Sequence, residues 1–203
     1  MRALRMQLTA KVRKVGTIGG LMIEVRLHGR GGQGTVVGIK ILADAVILGG
    51  GWVQAFPDFG VERRGSPVTA FIRIDDREIF LRSKIYNPDH LVILDSTLIN
   101  VVKVTEGLKE GGTILINSPK PPGAFSFDGN FKVMTTDATR IAINYKLGSA
   151  ASPIVNTAIL GAVIKALPLG ISLEKLSEAI AHGVPTKMEN NIAAAREAYE
   201  SLI

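Results

Sequence analysis

A chain of 203 residues that is 46% apolar is long enough to bury one sizeable core and too apolar for wholesale disorder. Its formal charge of +6 is uneven: Arg2, Arg5, Lys11, Arg13 and Lys14 crowd the first 21 residues without an acid, so the rest is near neutral and a nucleic-acid-binding domain is not indicated. There is no cysteine, which excludes disulfides, thiolate catalysis and a cysteine-ligated iron–sulfur cluster on this chain.

Residues 1–21 read as a basic extension ahead of a single domain at 22–203. They lack the apolar region of a secretory signal, and Gly16, Gly19 and Gly20 break an amphipathic transit helix. No run of 18 apolar residues exists, so no membrane span is expected.

The apolar run at residues 22–27 predicts a buried strand. Gly29-Arg30-Gly31-Gly32-Gln33-Gly34 follows, and then a helix over 36–48 with Val37, Ile41, Ala45 and Leu48 on one face. Strand, glycine turn and helix open a nucleotide-type α/β unit, and the helix behind the turn offers free N–H groups and a positive dipole end. Gly29, Gly31 and Gly34 satisfy G-x-G-x-x-G in the right context. The ribose-binding acid of a dinucleotide site is missing from the second strand, 51–56, because Asp58 lies beyond it after Pro57. No Gly-Lys-Ser/Thr follows, so the turn is not a P-loop. Two readings stay open: a tight turn packing helix on strand without a ligand, or a contact to phosphate or carboxylate, which Arg30 favours.

Residues 56–67 form a loop by their prolines, glycines and charges, and Phe59 with Gly60, Glu62, Arg63 and Arg64 suits an interface. A hairpin is expected from strand 68–74, a turn at Asp75-Asp76 and a returning strand at 78–81. Leu91-Val92-Ile93-Leu94 and 112–117 read as buried parallel strands. Asp95 lies where α/β proteins place ligands, but its expected role is to cap a short helix at 98–107. A last strand at 131–135 precedes a helix capped by Asp137. Beyond Ser152 the chain reads as helical. The segment 154–167 is apolar nearly all round and is expected to bury itself against the sheet or another subunit. Ser172 caps the next helix, and the last runs 188–202 with Ile192, Ala195, Tyr199 and Leu202 on one face. The expected fold is a three-layer α/β/α class, a mainly parallel sheet with an antiparallel hairpin and a helical C-terminal region.

Chemistry of the chain's own is sparse. His28, His90 and His182 have no ligand spacing, so no metal site is expected. There is no G-x-S-x-G elbow and no thiamine diphosphate motif. A glycine turn without a catalytic set points to a subunit of something larger.

Three stretches carry a resemblance. The glycine turn before an apolar helix is similar to the start of the gamma subunit of 2-oxoacid:ferredoxin oxidoreductases, the pyruvate synthase family. Pro57-Asp58-Phe59-Gly60-Val61-Glu62-Arg63-Arg64-Gly65 resembles that family's Pro-x-Tyr-Gly-x-Glu-x-Arg-Gly loop, with Phe59 in place of tyrosine. Lys187 followed by Asn190-Asn191 and a helix resembles its C-terminal end. The resemblance implies a cytoplasmic hetero-oligomer with alpha, beta and delta subunits that converts a 2-oxoacid, pyruvate first, to an acyl-CoA and reduces ferredoxin. It implies that thiamine diphosphate, magnesium and the [4Fe–4S] clusters sit on those partners, with no cofactor, nucleic acid or membrane bound by this chain. Gly29, Arg30, Gly31, Gly32, Gln33 and Gly34 become candidate contacts to a coenzyme A phosphate, and the Phe59–Arg64 residues a subunit interface. The isolated chain is then expected to self-associate through that loop and the 152–167 helix. The alternative is a stand-alone nucleotide-binding oxidoreductase domain with a Rossmann-like turn.

Overall fold

The computed structural model describes residues 22–58, 65–149 and 152–203. The basic extension and the interface candidates Phe59, Gly60, Glu62, Arg63 and Arg64 lie outside the described residues. In chain order the elements are β1 (Ile23–Arg30), α1 (Thr35–Leu48), β2 (Trp52–Asp58), β3 (Pro67–Asp75), β4 (His90–Ile93), β5 (Thr113–Asn117), β6 (Lys132–Thr136), α2 (Ala138–Asn144), β7 (Gly148–Ser149), β8 (Ser152–Pro153), α3 (Asn156–Ala166), α4 (Leu173–Gly183) and α5 (Met188–Glu200). Six strands form one sheet in the order β2-β3-β1-β4-β5-β6. The pairs β1–β4, β4–β5 and β5–β6 are parallel, while β3 runs antiparallel to both β1 and β2. The α/β class, the mainly parallel sheet, an antiparallel hairpin and the helical C-terminal region are all present.

The hairpin is made differently from the expectation. Its strands are β2 and β3, and residues 78–81 are not a strand. Because β1 and β2 already occupy both edges of β3, a third partner has nowhere to pair. The segment after Asp75 passes irregularly beside β2 instead, where the Gln54 amide donates to the carbonyls of Ile79 and Leu81 (3.1 and 2.9 Å).

Pleating sends alternate side chains to opposite faces. Val25, Leu27, Ile72, Val92 and Leu115 face the main core with the buried residues of all five helices. Leu91, Ile93, Ile114 and Ile116 face the other way, against Leu98, Val104 and Leu108 from the turn and loops after β4. That third layer is a 3-10 turn (Ser96–Asn100) with loops rather than the expected helix over 98–107. The run Val101-Val102-Lys103-Val104-Thr105 is rich in β-branched residues, which suit a helix poorly.

On α1 the buried face is Ile39, Ile41, Leu42, Ala45 and Val46, and Val37, expected inside, is 43% exposed. Pro153 does not start a helix: it lies in the short β7–β8 ribbon, and α3 begins at Asn156. Asn156 through Ile164 are all buried. The partners of α3 are α5, α1, α4 and the sheet of this same chain, so α3 is an interior helix and not an assembly surface. Its approach to α5 is close enough that a Cβ on Gly161 would lie 1.7 Å from the Ala195 carbonyl oxygen. Along α5 the fully buried residues are Asn191, Ala194, Ala195 and Ala198, with Ile192 and Tyr199 half-buried beside them.

Candidate site at the carboxyl ends of β1 and β4

Adjacent parallel strands whose chains leave in opposite directions open a crevice at their carboxyl ends. Here β1 leads through α1 to the β2 edge, and its parallel neighbour β4 leads to β5 and the opposite edge. The glycine turn sits at this point, followed at once by the N-terminus of α1, whose first N–H groups have no intrahelical partner. Two glycines are fixed by space. Gly34 has φ +76°, and a Cβ there would come 2.5 Å from the Asn156 amide nitrogen, while a Cβ on Gly29 would come 2.2 Å from the Thr35 hydroxyl. Two helix starts thus meet over the turn, joined by the Asn156 amide donating to the Gly34 carbonyl (3.3 Å).

Arg30 is the centre of the polar contacts. Its Nε donates to Asp95 Oδ2 (2.8 Å), its Nη2 to the Thr97 hydroxyl (2.7 Å) and its Nη1 to the Gly65 carbonyl (3.0 Å). Gln33 closes the turn by accepting from the Arg30 N–H (2.8 Å) and reaching Asp95 Oδ2 at 3.4 Å. Asp95 Oδ1 accepts from both the backbone N–H and the hydroxyl of Thr97 (3.0 and 2.6 Å). Burial alone would raise the Asp95 carboxyl, but the two Thr97 hydrogen bonds and the Arg30 guanidinium together hold it below the usual carboxylate range. Asp95 is therefore a carboxylate at pH 7. The carboxylate offsets the charge of the Arg30 guanidinium, whose remaining N–H donors lie outside these three bonds.

The turn is also stitched to Gly65 and Ser66, just ahead of β3. Gly31 N–H donates to the Ser66 carbonyl (2.9 Å) and Gly65 N–H to the Gly31 carbonyl (3.0 Å), continuing the β1–β3 pairing that ends at Arg30 and Pro67. Gly65, the last residue of the second motif, thus lies against the glycine turn of the first. Asp95 was expected to cap, and it does, but its hold on Arg30 was not anticipated. Asn156 and Ser66 were missed altogether, since each acts through a contact with no local signature.

His28 lies apart from this unit. On the face turned from the helices, Arg26 Nε donates to its Nε2 (3.1 Å), and the imidazole makes none of the turn's hydrogen bonds. Burial, with Arg26 adding repulsion, pushes its pKa down to about 4, so it is a neutral structural acceptor. β2 also needs correction: it continues through Pro57 and does end in an acid, Asp58. That acid is no ribose ligand, because β3 intervenes and sets β2 about 10 Å from β1 and because Lys84 pairs with it at 2.6 Å.

Residues 24–201 match the profile of the pyruvate ferredoxin/flavodoxin oxidoreductase family. A relative from Thermococcus litoralis, a pyruvate/ketoisovalerate oxidoreductases common subunit gamma, is 48% identical over 90% of this chain and 98% of its own length. Pyruvate synthase subunit PorC of Methanocaldococcus jannaschii is 46% identical, again over 90% and 98%. Among solved structures, the pyruvate oxidoreductase subunit PORC of Thermotoga maritima superposes with a TM-score of 0.77 at 33% identity, covering 90% of this chain and 97% of that one. The chain belongs to the pyruvate ferredoxin/flavodoxin oxidoreductase family, as one of its gamma subunits.

Proposed function

We propose that this gamma subunit works in a cytoplasmic complex with alpha, beta and delta chains that oxidatively decarboxylates pyruvate to acetyl-CoA and CO2 and passes two electrons to ferredoxin. The observation that carries the reading is the match to pyruvate-type gamma subunits over nearly the full length of both partners. A chain without cysteine has no thiolate for an iron–sulfur cluster, so the clusters belong to other chains, as do thiamine diphosphate and magnesium, which supply the decarboxylation chemistry. No helix among the described residues is long and apolar enough to cross a membrane.

This chain contributes assembly and a contact to coenzyme A. The N–H groups of Gly31 and Gln33 are taken by the Ser66 and Arg30 carbonyls, so it is the first turn of α1 that suits a phosphate, with the Arg30 guanidinium beside it. Residues Phe59, Gly60, Glu62, Arg63 and Arg64 contribute the partner contact. The chain, used as bait in an anaerobic pull-down, is expected to bring down cysteine-rich and thiamine-binding chains with pyruvate- and coenzyme A-dependent viologen reduction. A lone, inactive chain refutes the subunit reading, and faster turnover with 2-ketoisovalerate reassigns the substrate. In the assembled enzyme Arg30→Ala should raise the coenzyme A KM about tenfold, the worth of one charge-assisted hydrogen bond. An unchanged KM removes the phosphate contact.

A further inference from the structure

The peptide that joins the glycine turn to α1 is the one between Gly34 and Thr35. Its carbonyl accepts from the Gly38 N–H (2.8 Å), the first bond of the helix. A second donor to that carbonyl is the amide of Asn156, the first residue of α3, at 3.3 Å. Asn156 is buried and lies against α1 at two places one turn apart. A Cβ on Gly34 would come 2.5 Å from its amide nitrogen, and a Cβ on Gly38 would come 3.3 Å from its own Cβ. Its Oδ1 accepts from the Thr157 N–H (2.8 Å), which leaves the nitrogen to face Gly34. Glycine could turn this peptide over at little cost, and the Asn156 bond removes that freedom. A peptide is planar and trans, so a carbonyl held on one side fixes the N–H on the other. That N–H belongs to Thr35 and is the first of the α1 donors without an intrahelical partner. The Thr35 hydroxyl, 3% exposed, also has no hydrogen-bond partner among the described residues. Thr35 thus carries two donors that the described residues leave unused, at a helix start whose dipole favours an anion. We infer that Asn156 is a positioning residue for coenzyme A: through the Gly34 carbonyl it aims the Thr35 N–H at a phosphate. The inference rests on the reading of the turn as a phosphate contact.

Asn156→Ala removes the bond without adding bulk. In the purified complex it should raise the Kd for coenzyme A, titrated calorimetrically without pyruvate, about fivefold, the worth of one neutral hydrogen bond. Turnover at saturating coenzyme A should stay within about twofold of wild type. Asn156→Ser keeps a hydroxyl for the first turn of α3 and so safeguards folding; it too should raise the Kd. Thr157→Val separates positioning from a general loosening of α3. The Thr157 hydroxyl donates to Asn191 Oδ1 on α5 (2.6 Å), so its loss weakens α3 on the side away from the turn and should lower thermal stability while leaving the Kd as it is. An equal rise in Kd in Thr157→Val overturns the role of Asn156. So does an unchanged Kd in the Asn156 variants where Arg30→Ala raises it. An unchanged Kd in Arg30→Ala as well removes the phosphate contact itself, and the inference with it.

Discussion

Strands β4 and β5 are apolar on both faces, whereas β1, β3 and β2 carry a row of polar side chains, Glu24, Arg73 and Gln54, across the face turned from the helices. Over β4 and β5, leucine and isoleucine need only to be covered, and an irregular stretch of 3-10 turn and loop suffices. The polar row requires specific partners. Arg73, 1% exposed, donates to Glu24 (2.7 Å), to Gln54 (3.3 Å) and to the Lys84 carbonyl (3.2 Å), and stands 5.6 Å over the Phe56 ring. Next to it Arg26 donates to the carbonyls of Val104 and Glu106 (2.9 and 2.6 Å). Side chains of the sheet satisfy backbone carbonyls of the segments lying over it, so irregular chain is held where a ladder cannot reach it.

Mutation should separate the two halves sharply. Arg73→Ala leaves the Glu24 carboxylate almost buried and unpaired, at a cost of roughly 4 kcal/mol in chemical denaturation. Replacing both residues by leucine should recover most of that loss; a double variant as unstable as the single one would show that the row is packing rather than charge.

The next effect is on pH. His28 is held near pKa 4 in the fold against an ordinary 6.5, so the unfolded chain takes up the proton first. Stability is complete above about pH 6.5, falls as pH drops, and has lost about 3 kcal/mol by pH 4. His28→Gln should flatten that acid limb; a limb of the same slope would assign it to other groups. The smallest effect belongs to the apolar half. Ile93→Val removes one methylene from a fully buried site and should cost about 1 kcal/mol, independent of pH.

The apolar half was the legible one. Leu91-Val92-Ile93-Leu94 announces a strand buried on both faces, and the structure agrees. The polar half was hidden, because 22–27 read as an apolar run although Glu24 and Arg26 alternate through it with Ile23, Val25 and Leu27. Asp75-Asp76 looks like a hairpin turn only when the strand before it is imagined with a free edge. The nearly all-apolar α3 fits a subunit interface as well as an interior, and nothing local tells that α5 lies across it. At the site, spacing found the glycines, while Arg30's partner is 65 residues away and a sequence pattern carries no such distance.

One topological detail bears on how the molecule is made. β3 lies between β1 and β2, although α1 already joins those two strands directly. The first strand–helix–strand segment to leave the ribosome therefore cannot close on itself. β1 can gain its first neighbour only when residues 67–75 have been synthesised, and its second only with residues 90–93. Nearly half the chain emerges before its central strand is paired on both sides, which leaves the nascent subunit with exposed strand edges over that interval.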